Sequence, residues 1–227
     1  MEDVINEVKL FFEQWTQQPA AELYTLKQAG SNRQYFRGHA GAHSYIITNN
    51  PNNIPENNAF IEFARHFYSK QLAVPEILHI NEIKTMYVQT DFGDISLFDI
   101  IKEEGYSTRA KELYRKAFAQ LARLQVKGGE GLDYNNCIAT KSFDKQAIYS
   151  DLLYFLYYFV RALDLPYDKN LLLNDFELLS SYLMQEEAKY FMHRDCQSRN
   201  VMIKDERVYF IDFQGGMQGA LQYDAAS

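Results

Sequence analysis

The sequence predicts an α+β fold of two lobes, an antiparallel-sheet lobe followed by a mainly helical one. Three observations carry that expectation. Between Glu22 and Thr90, short β-prone runs are broken by glycine, proline and asparagine turns, with a single helical stripe among them. Past Gly93 the apolar period changes to that of helices and stays there. Near the C-terminus two strand-like runs return, NVMIKD and RVYFID.

Each element follows from its own pattern. Ile5, Val8, Phe11 and Trp15 recur at helical spacing, so residues 3–16 read as an amphipathic helix ended by Pro19. LYTL, YFR and HSYIIT read as three antiparallel strands separated by AGSN and GHAGA. The polar stretch NNPNNIPENN then leads into AFIEFARHFYSKQL, where Phe60, Ile61, Phe63, Ala64, Phe67 and Tyr68 form a stripe closed by Pro75. EILHI and TMYVQT are two more strands around a turn at Asn81. SLFDIIKEEG and residues 108–127 read as helices, KGGEGLDYNN as a loop, and residues 143–165 and 172–187 as two further helices. In the first of these two, Tyr149, Leu152, Leu156 and Phe159 make the expected core stripe. The organisation is a sheet lobe over residues 1–90, a hinge at 91–94, and a helical lobe over 95–227 that holds a hairpin across Glu206.

Composition narrows the function classes. At 227 residues, 47% hydrophobic and 23% charged, the chain can bury a substantial core and is too apolar for wholesale disorder. Its 23 basic and 30 acidic residues give a net charge of −7, which argues against a broad nucleic-acid or anionic-membrane surface. Cys137 and Cys196 match no C-x-x-C spacing, so neither a disulfide framework nor a zinc site is expected, in keeping with a reducing, cytoplasmic compartment. The start, MEDVINEVKLFFEQW, lacks the features of a secretory leader, and the longest apolar run, 152–160, is about half of what a bilayer-spanning helix needs.

The chemistry concentrates in FMHRDCQSRNVMIKDERVYFIDFQGG. His193-Arg194-Asp195 is followed at a spacing of five by Asn200, and Asp212-Phe213-Gln214 comes after a strand, a turn and a second strand. That arrangement puts Asp195, Asn200 and Asp212 at one end of a hairpin, where their oxygens can converge on a metal-bound polyphosphate. Phosphoryl transfer needs such a combination: an acidic group facing the attacking hydroxyl, and hard oxygen ligands for the magnesium that bridges the phosphates. The plain alternative is a buried polar turn at His193 and Arg194, but the full H-R-D-x-x-x-x-N spacing with a following D-F is the signature of kinases.

On these residues the chain resembles the aminoglycoside phosphotransferase and choline kinase-like superfamily over nearly its whole length. AGSNRQYFR, VPEIL, the SRN of the loop and DFQGGMQGALQYDAAS are similar to the bacterial anomeric kinases of cell-wall amino sugars, of the N-acetylmuramate/N-acetylglucosamine kinase type. The resemblance implies a protein-kinase-like fold, ATP and Mg²⁺ as cofactors, and a sugar or amino sugar as the small-molecule partner. It implies Asp195 as catalytic base, Asn200 and Asp212 as magnesium ligands, and His193 as support behind the loop. Asp224, in a Y-D-x-A context, would brace that loop, or else cap the final helix. Gly30, Ser31, Asn32 and Arg33 occupy the place of a loop folded over the nucleotide. Gln89 and Asp91 stand at the hinge, where backbone groups would meet the adenine edge, with Ile47 and Met202 as apolar plates; Asp91 and Asp94 are also candidate caps for the helix that starts at Ser96. The superfamily continues with more helices after YDAAS, so a C-terminally truncated lobe and a further C-terminal domain are expected.

Two departures bear on the chemistry. Thr48 stands where the third strand of kinases carries its phosphate-binding lysine, so either Arg33, Arg37 or Lys27 substitutes or nucleotide affinity is weak, and Glu56 or Glu62 remains as the helix glutamate without an assigned partner. Gln214 replaces the glycine of D-F-G, as in sugar kinases. Cys196, beside Asp195, reads as small filler that a nearby Arg194 could activate. The rival readings are a kinase for an aminoglycoside, choline or another small alcohol, and, in another class, a nucleotide-binding pseudokinase module that regulates an attached domain.

Overall fold

The computed structural model describes residues 2–20, 22–26 and 33–226. The first helix, α1 (Glu2–Thr16), lies on one face of a five-stranded antiparallel sheet made of β1 (Glu22–Thr25), β2 (Gln34–Ala40), β3 (His43–Asn49), β4 (Ile77–Ile80) and β5 (Met86–Thr90), in the order β1-β2-β3-β5-β4. Strand periodicity sorts the side chains. Phe36, Ile47, Met86 and Val88 pack under Val8, Phe11 and Phe12 of α1. Their neighbours Tyr35, Arg37, Ile46, Tyr87 and Gln89 face a cleft on the opposite side. α1 sits so close that a Cβ on Gly38 would lie 3.0 Å from the Phe12 ring and from Ile47.

On the cleft side, α2 (Ile54–Ser69) joins the sheet to the helical lobe. Phe60, Phe63 and Phe67 share one core with Tyr87 of β5, Leu97 and Ile100 of α3 (Leu97–Glu104), and Leu113 and Leu121 of α4 (Thr108–Arg123). α2 starts at Ile54, earlier than its apolar stripe suggests. Asn53 accepts a hydrogen bond from the Glu56 amide, and Pro55 falls in the first turn, where a missing N–H breaks no helical bond.

The helical lobe adds α5 (Lys145–Phe155), α6 (Lys169–Leu183) and the short α7 (Leu221–Ala226). Strands β7 (Val201–Lys204) and β8 (Arg207–Phe210) form the expected hairpin. A second pair, β6 (Tyr190–Met192) with β9 (Met217–Gly219), was not expected, because three-residue strands carry too little alternation to read. The core stripe expected in residues 143–165 holds only in part: Tyr149, Leu152 and Leu156 are half-buried and Phe159 is exposed. α5 passes into a π-helical turn, Leu156–Val160, which rotates the register; Ala147, Ile148 and Val160 are buried, whereas Phe159 is 48% exposed. The hairpin of α5 and α6 leaves a broad apolar face to solvent. Among the described residues no helix is long and apolar enough to cross a membrane.

Candidate active site

The β7–β8 register pairs Val201 with Phe210, so Asn200 and Ile211 leave the hairpin side by side, and the Ile211 amide donates to the Asn200 carbonyl (3.0 Å). This brings Asn200 beside Asp212. The Asn200 side-chain amide donates to both the carbonyl and the carboxylate Oδ2 of Asp195 (2.9 Å each), while Asp195 Oδ1 accepts from Gln197 (2.7 Å). Both donations use Nδ2, which turns the Asn200 amide oxygen away from Asp195. Asp195, Asn200 and Asp212 thus gather at the open end of one hairpin.

Buried hydrogen bonds hold the loop that carries Asp195. His193 is fully buried, and its Nδ1 faces the Asp195 amide (3.3 Å) while its Nε2 faces the Ile211 carbonyl (3.0 Å). An amide only donates and a carbonyl only accepts, so both contacts select the neutral tautomer with hydrogen on Nε2. Burial lowers the His193 pKa against the pull of nearby carboxylates and favours that same neutral form. Arg194 follows at φ 73°, a left-handed conformation that few side chains adopt without support. The support is Asp224, buried in α7, whose two oxygens accept from the amides of His193 (2.8 Å) and Arg194 (2.9 Å) and from Gln125 (2.9 Å). Asp224 lies inside its helix and does not cap it. The Arg194 guanidinium, over the Phe143 and Tyr223 rings, pairs with Asp151 of α5 (2.8 Å).

Asp212, at φ 64°, is held by two donors on Oδ1: Arg33 Nη2 at 2.6 Å and Gln214 Nε2 at 3.0 Å. The buried Arg33 also reaches Glu56 of α2 (3.6 Å). Glu62, the other candidate on that helix, instead faces Arg65 (3.8 Å). Phe213, fully buried, stacks on Phe60 (4.8 Å between centroids) and meets Phe67 edge-on, which fixes the Asp212 segment against α2. Gln214 as an orienting donor and Glu56 as an Arg33 partner are contributions that spacing alone did not assign.

These groups open onto a cleft of about 590 Å³ between the sheet and the hairpin, lined by Arg33, Asn200 and Asp212 at one end and by Gln89, Thr90 and Asp91, at the end of β5, on another side. The volume is in the range of small-molecule and cofactor sites. Met202 lines it, but Ile46 takes the place expected for Ile47, which faces α1. The Asp91 carboxylate is engaged by Arg37 (2.7 Å) and the Gly93 amide (2.8 Å), and its carbonyl accepts from Lys204 (2.8 Å). Arg37 also holds Asp94 (2.7 Å), so this arginine ties β2 to the segment after β5. Neither aspartate caps α3, which begins with a reciprocal Ser96–Asp99 capping box. Asp195 does not line the cleft and meets it through Asn200. Gly30, Ser31 and Asn32, with Lys27, lie outside the described residues.

The donors at the Asp212 end suit magnesium. A carboxylate and an amide oxygen are hard ligands, and among the described residues no group of three or more His, Cys, Asp or Glu side chains could hold a metal by itself. Magnesium is commonly held in this way, through one or two protein oxygens with phosphates and water completing its shell. The Arg33 guanidinium on Asp212 shows that this oxygen already accepts a cation. Cys196 is not activated by Arg194, since burial pushes its thiol up to about 12 and keeps it protonated at neutral pH.

Comparison with known proteins follows the same lines. Residues 25–227 match the model of the phosphotransferase enzyme family, APH. The chain is 24% identical over 216 residues to an N-acetylmuramate/N-acetylglucosamine kinase of Pseudomonas aeruginosa, covering 93% of this chain and 60% of that protein. A Neisseria meningitidis protein of the same name is 26% identical over 159 residues, 68% of this chain and 45% of that one. The chain therefore spans about 60% or less of the length of these curated relatives. Among solved structures, the aminoglycoside phosphotransferase APH(4)-Ia in ternary complex with AMP-PNP and hygromycin B superposes with a TM-score of 0.63 at 18% identity, covering 97% of this chain and 75% of that one. ADP-bound APH(2'')-Ib gives 0.63 at 16% identity, covering 96% and 73%. The two-lobed architecture is the kinase-like fold of these enzymes.

Proposed function

The chain belongs to the phosphotransferase enzyme family APH, and on that premise we propose that it carries the site of an ATP-dependent small-molecule kinase. The γ-phosphate goes to a sugar hydroxyl, that of an N-acetylated amino sugar at C1. The observation that carries this reading is the gathering of Asp195, Asn200 and Asp212 at the end of one hairpin, beside a cleft large enough for a nucleotide.

In this mechanism the hinge residues Gln89 to Asp91 border the base, and the phosphates extend toward Asp212. Asp212 and the Asn200 amide oxygen would hold a magnesium ion, which would supply positive charge to stabilise the transferring phosphoryl group. Gln214 fixes the direction of the Asp212 carboxylate. Asp195 takes the proton of the acceptor hydroxyl as that oxygen bonds to the γ-phosphorus and the bond from phosphorus to the bridging oxygen breaks, releasing ADP; the Asn200 and Gln197 donors orient Asp195 for that task. His193, Phe213 and Asp224 do not touch the reacting atoms; they hold the loop.

The sugar acceptor draws support from the names of the relatives and from one feature of the site. Asp151, the carboxylate that Arg194 brings close to the catalytic loop, is neutralised by that arginine, so it offers little to a polycationic aminoglycoside. A panel of N-acetylglucosamine, N-acetylmuramate, glucose, choline and kanamycin with [γ-³²P]ATP and Mg²⁺ tests the acceptor. Label should pass to the N-acetylated sugars as an acid-labile anomeric phosphate. Transfer confined to choline or kanamycin would replace the sugar reading, and ATP binding with no transfer to any acceptor would favour a pseudokinase module.

A further inference from the structure

We infer that Arg33 takes the place of the missing strand-three lysine as the cation that grips the nucleotide's phosphates, and that it competes with the divalent metal for Asp212. The inference rests on the phosphotransferase reading and goes beyond it in naming which cation substitutes and how metal and nucleotide binding are coupled.

Position supports the first half. Thr48 is fully buried in β3 and brings no charge to the cleft. Arg37 lines the cleft too, but Asp91 and Asp94 hold its guanidinium at the hinge. Arg33 enters from the start of β2 with its guanidinium at the Asp212 end. It is steadied by Glu56 (3.6 Å) and by the face of the Tyr35 ring (5.7 Å). Glu56 thus gains the cationic partner that the loss of lysine had removed, with the cation coming from a different strand. A planar guanidinium also grips two phosphate oxygens at once, which an ammonium does less well.

The second half follows from the contact with Asp212. Arg33 Nη2 is 2.6 Å from Oδ1, and a magnesium ligand must bring its oxygen to about 2.1 Å from the ion. Two full positive charges cannot share that oxygen without strong repulsion. Metal arriving alone must displace the guanidinium from Asp212 without offering it a new anionic partner. Metal arriving with a polyphosphate gives Arg33 new anionic oxygens, so the two binding events reinforce each other by linkage. The device favours the metal-nucleotide complex over either component.

The test uses the full chain and two probes: Mn²⁺ alone, followed by water-proton relaxation, and ADP alone in EDTA, followed by calorimetry. Arg33→Gln should bind Mn²⁺ several-fold tighter, because an anionic pair loses its internal cation, and bind ADP roughly ten- to hundredfold more weakly. Arg33→Lys keeps the charge without the fork and should fall between wild type and Arg33→Gln for ADP. Asp212→Asn, which releases the arginine from the other side, should bind ADP in EDTA more tightly than wild type, and serves if Arg33→Gln does not fold. An Arg33→Gln protein with unchanged or weaker Mn²⁺ affinity, unchanged ADP affinity, or both changes reproduced by Lys27→Gln would each overturn the inference. A wild-type protein that binds neither ADP nor Mg·ADP would instead overturn the phosphotransferase reading beneath it.

Discussion

Asp195→Asn is expected to lower kcat for phosphoryl transfer by about 10²–10⁴-fold while leaving the affinity for Mg·ATP within about twofold of wild type. The amide cannot take the acceptor's proton. It also cannot accept from both of its present donors, Gln197 Nε2 and Asn200 Nδ2. Gln197 is exposed and can turn its own amide to compensate, so the loop keeps its shape. Nucleotide binding is spared because Asp195 does not line the cleft. Single-turnover transfer with calorimetric titration of Mg·ATP separates the two effects. Wild-type turnover in the variant would remove Asp195 from the role of base.

Asp224→Ala should be the most damaging change away from the reacting atoms. Its carboxylate accepts from two consecutive amides, the buried one of His193 and the partly buried one of Arg194, and from Gln125. Truncation leaves those donors without a charged acceptor and withdraws support from the left-handed turn at Arg194. A loss of about 3 kcal/mol in unfolding free energy is expected, together with the collapse of turnover, because His193 and the Asp195 amide lose their shared register. Urea unfolding and hydrogen exchange at the His193 and Arg194 amides report on this directly. Amides that stay protected in Asp224→Ala would show that the loop is held by something else.

The fold class and the site's central spacing were readable because both are local. The hairpin across Glu206 needs only two alternating runs and a turn, and its covalent lengths then force Asn200 and Asp212 together. What the sequence concealed depends on long-range partners. Arg33 and Asp212 are 179 residues apart, and nothing in either segment announces their contact. Ile47 and Ile46 differ by one strand position, so choosing the wrong one exchanges the α1 face for the cleft face. Phe159 fits a helical stripe, but a π-helical turn shifts its register and the stripe does not say what covers it. Asp91 has the residue type of a helix cap, yet Arg37 from β2 claims its carboxylate.

The most direct test of the account is the dependence of ATP affinity on Mg²⁺ in wild-type protein and in Asp212→Asn, measured by calorimetry. The predicted result is tight binding by wild type that weakens by about tenfold or more when Mg²⁺ is chelated, with Asp212→Asn indifferent to the metal. ATP affinity that ignores Mg²⁺ in wild type, or that keeps its full metal dependence in Asp212→Asn, would contradict a magnesium-phosphate site at the end of this hairpin.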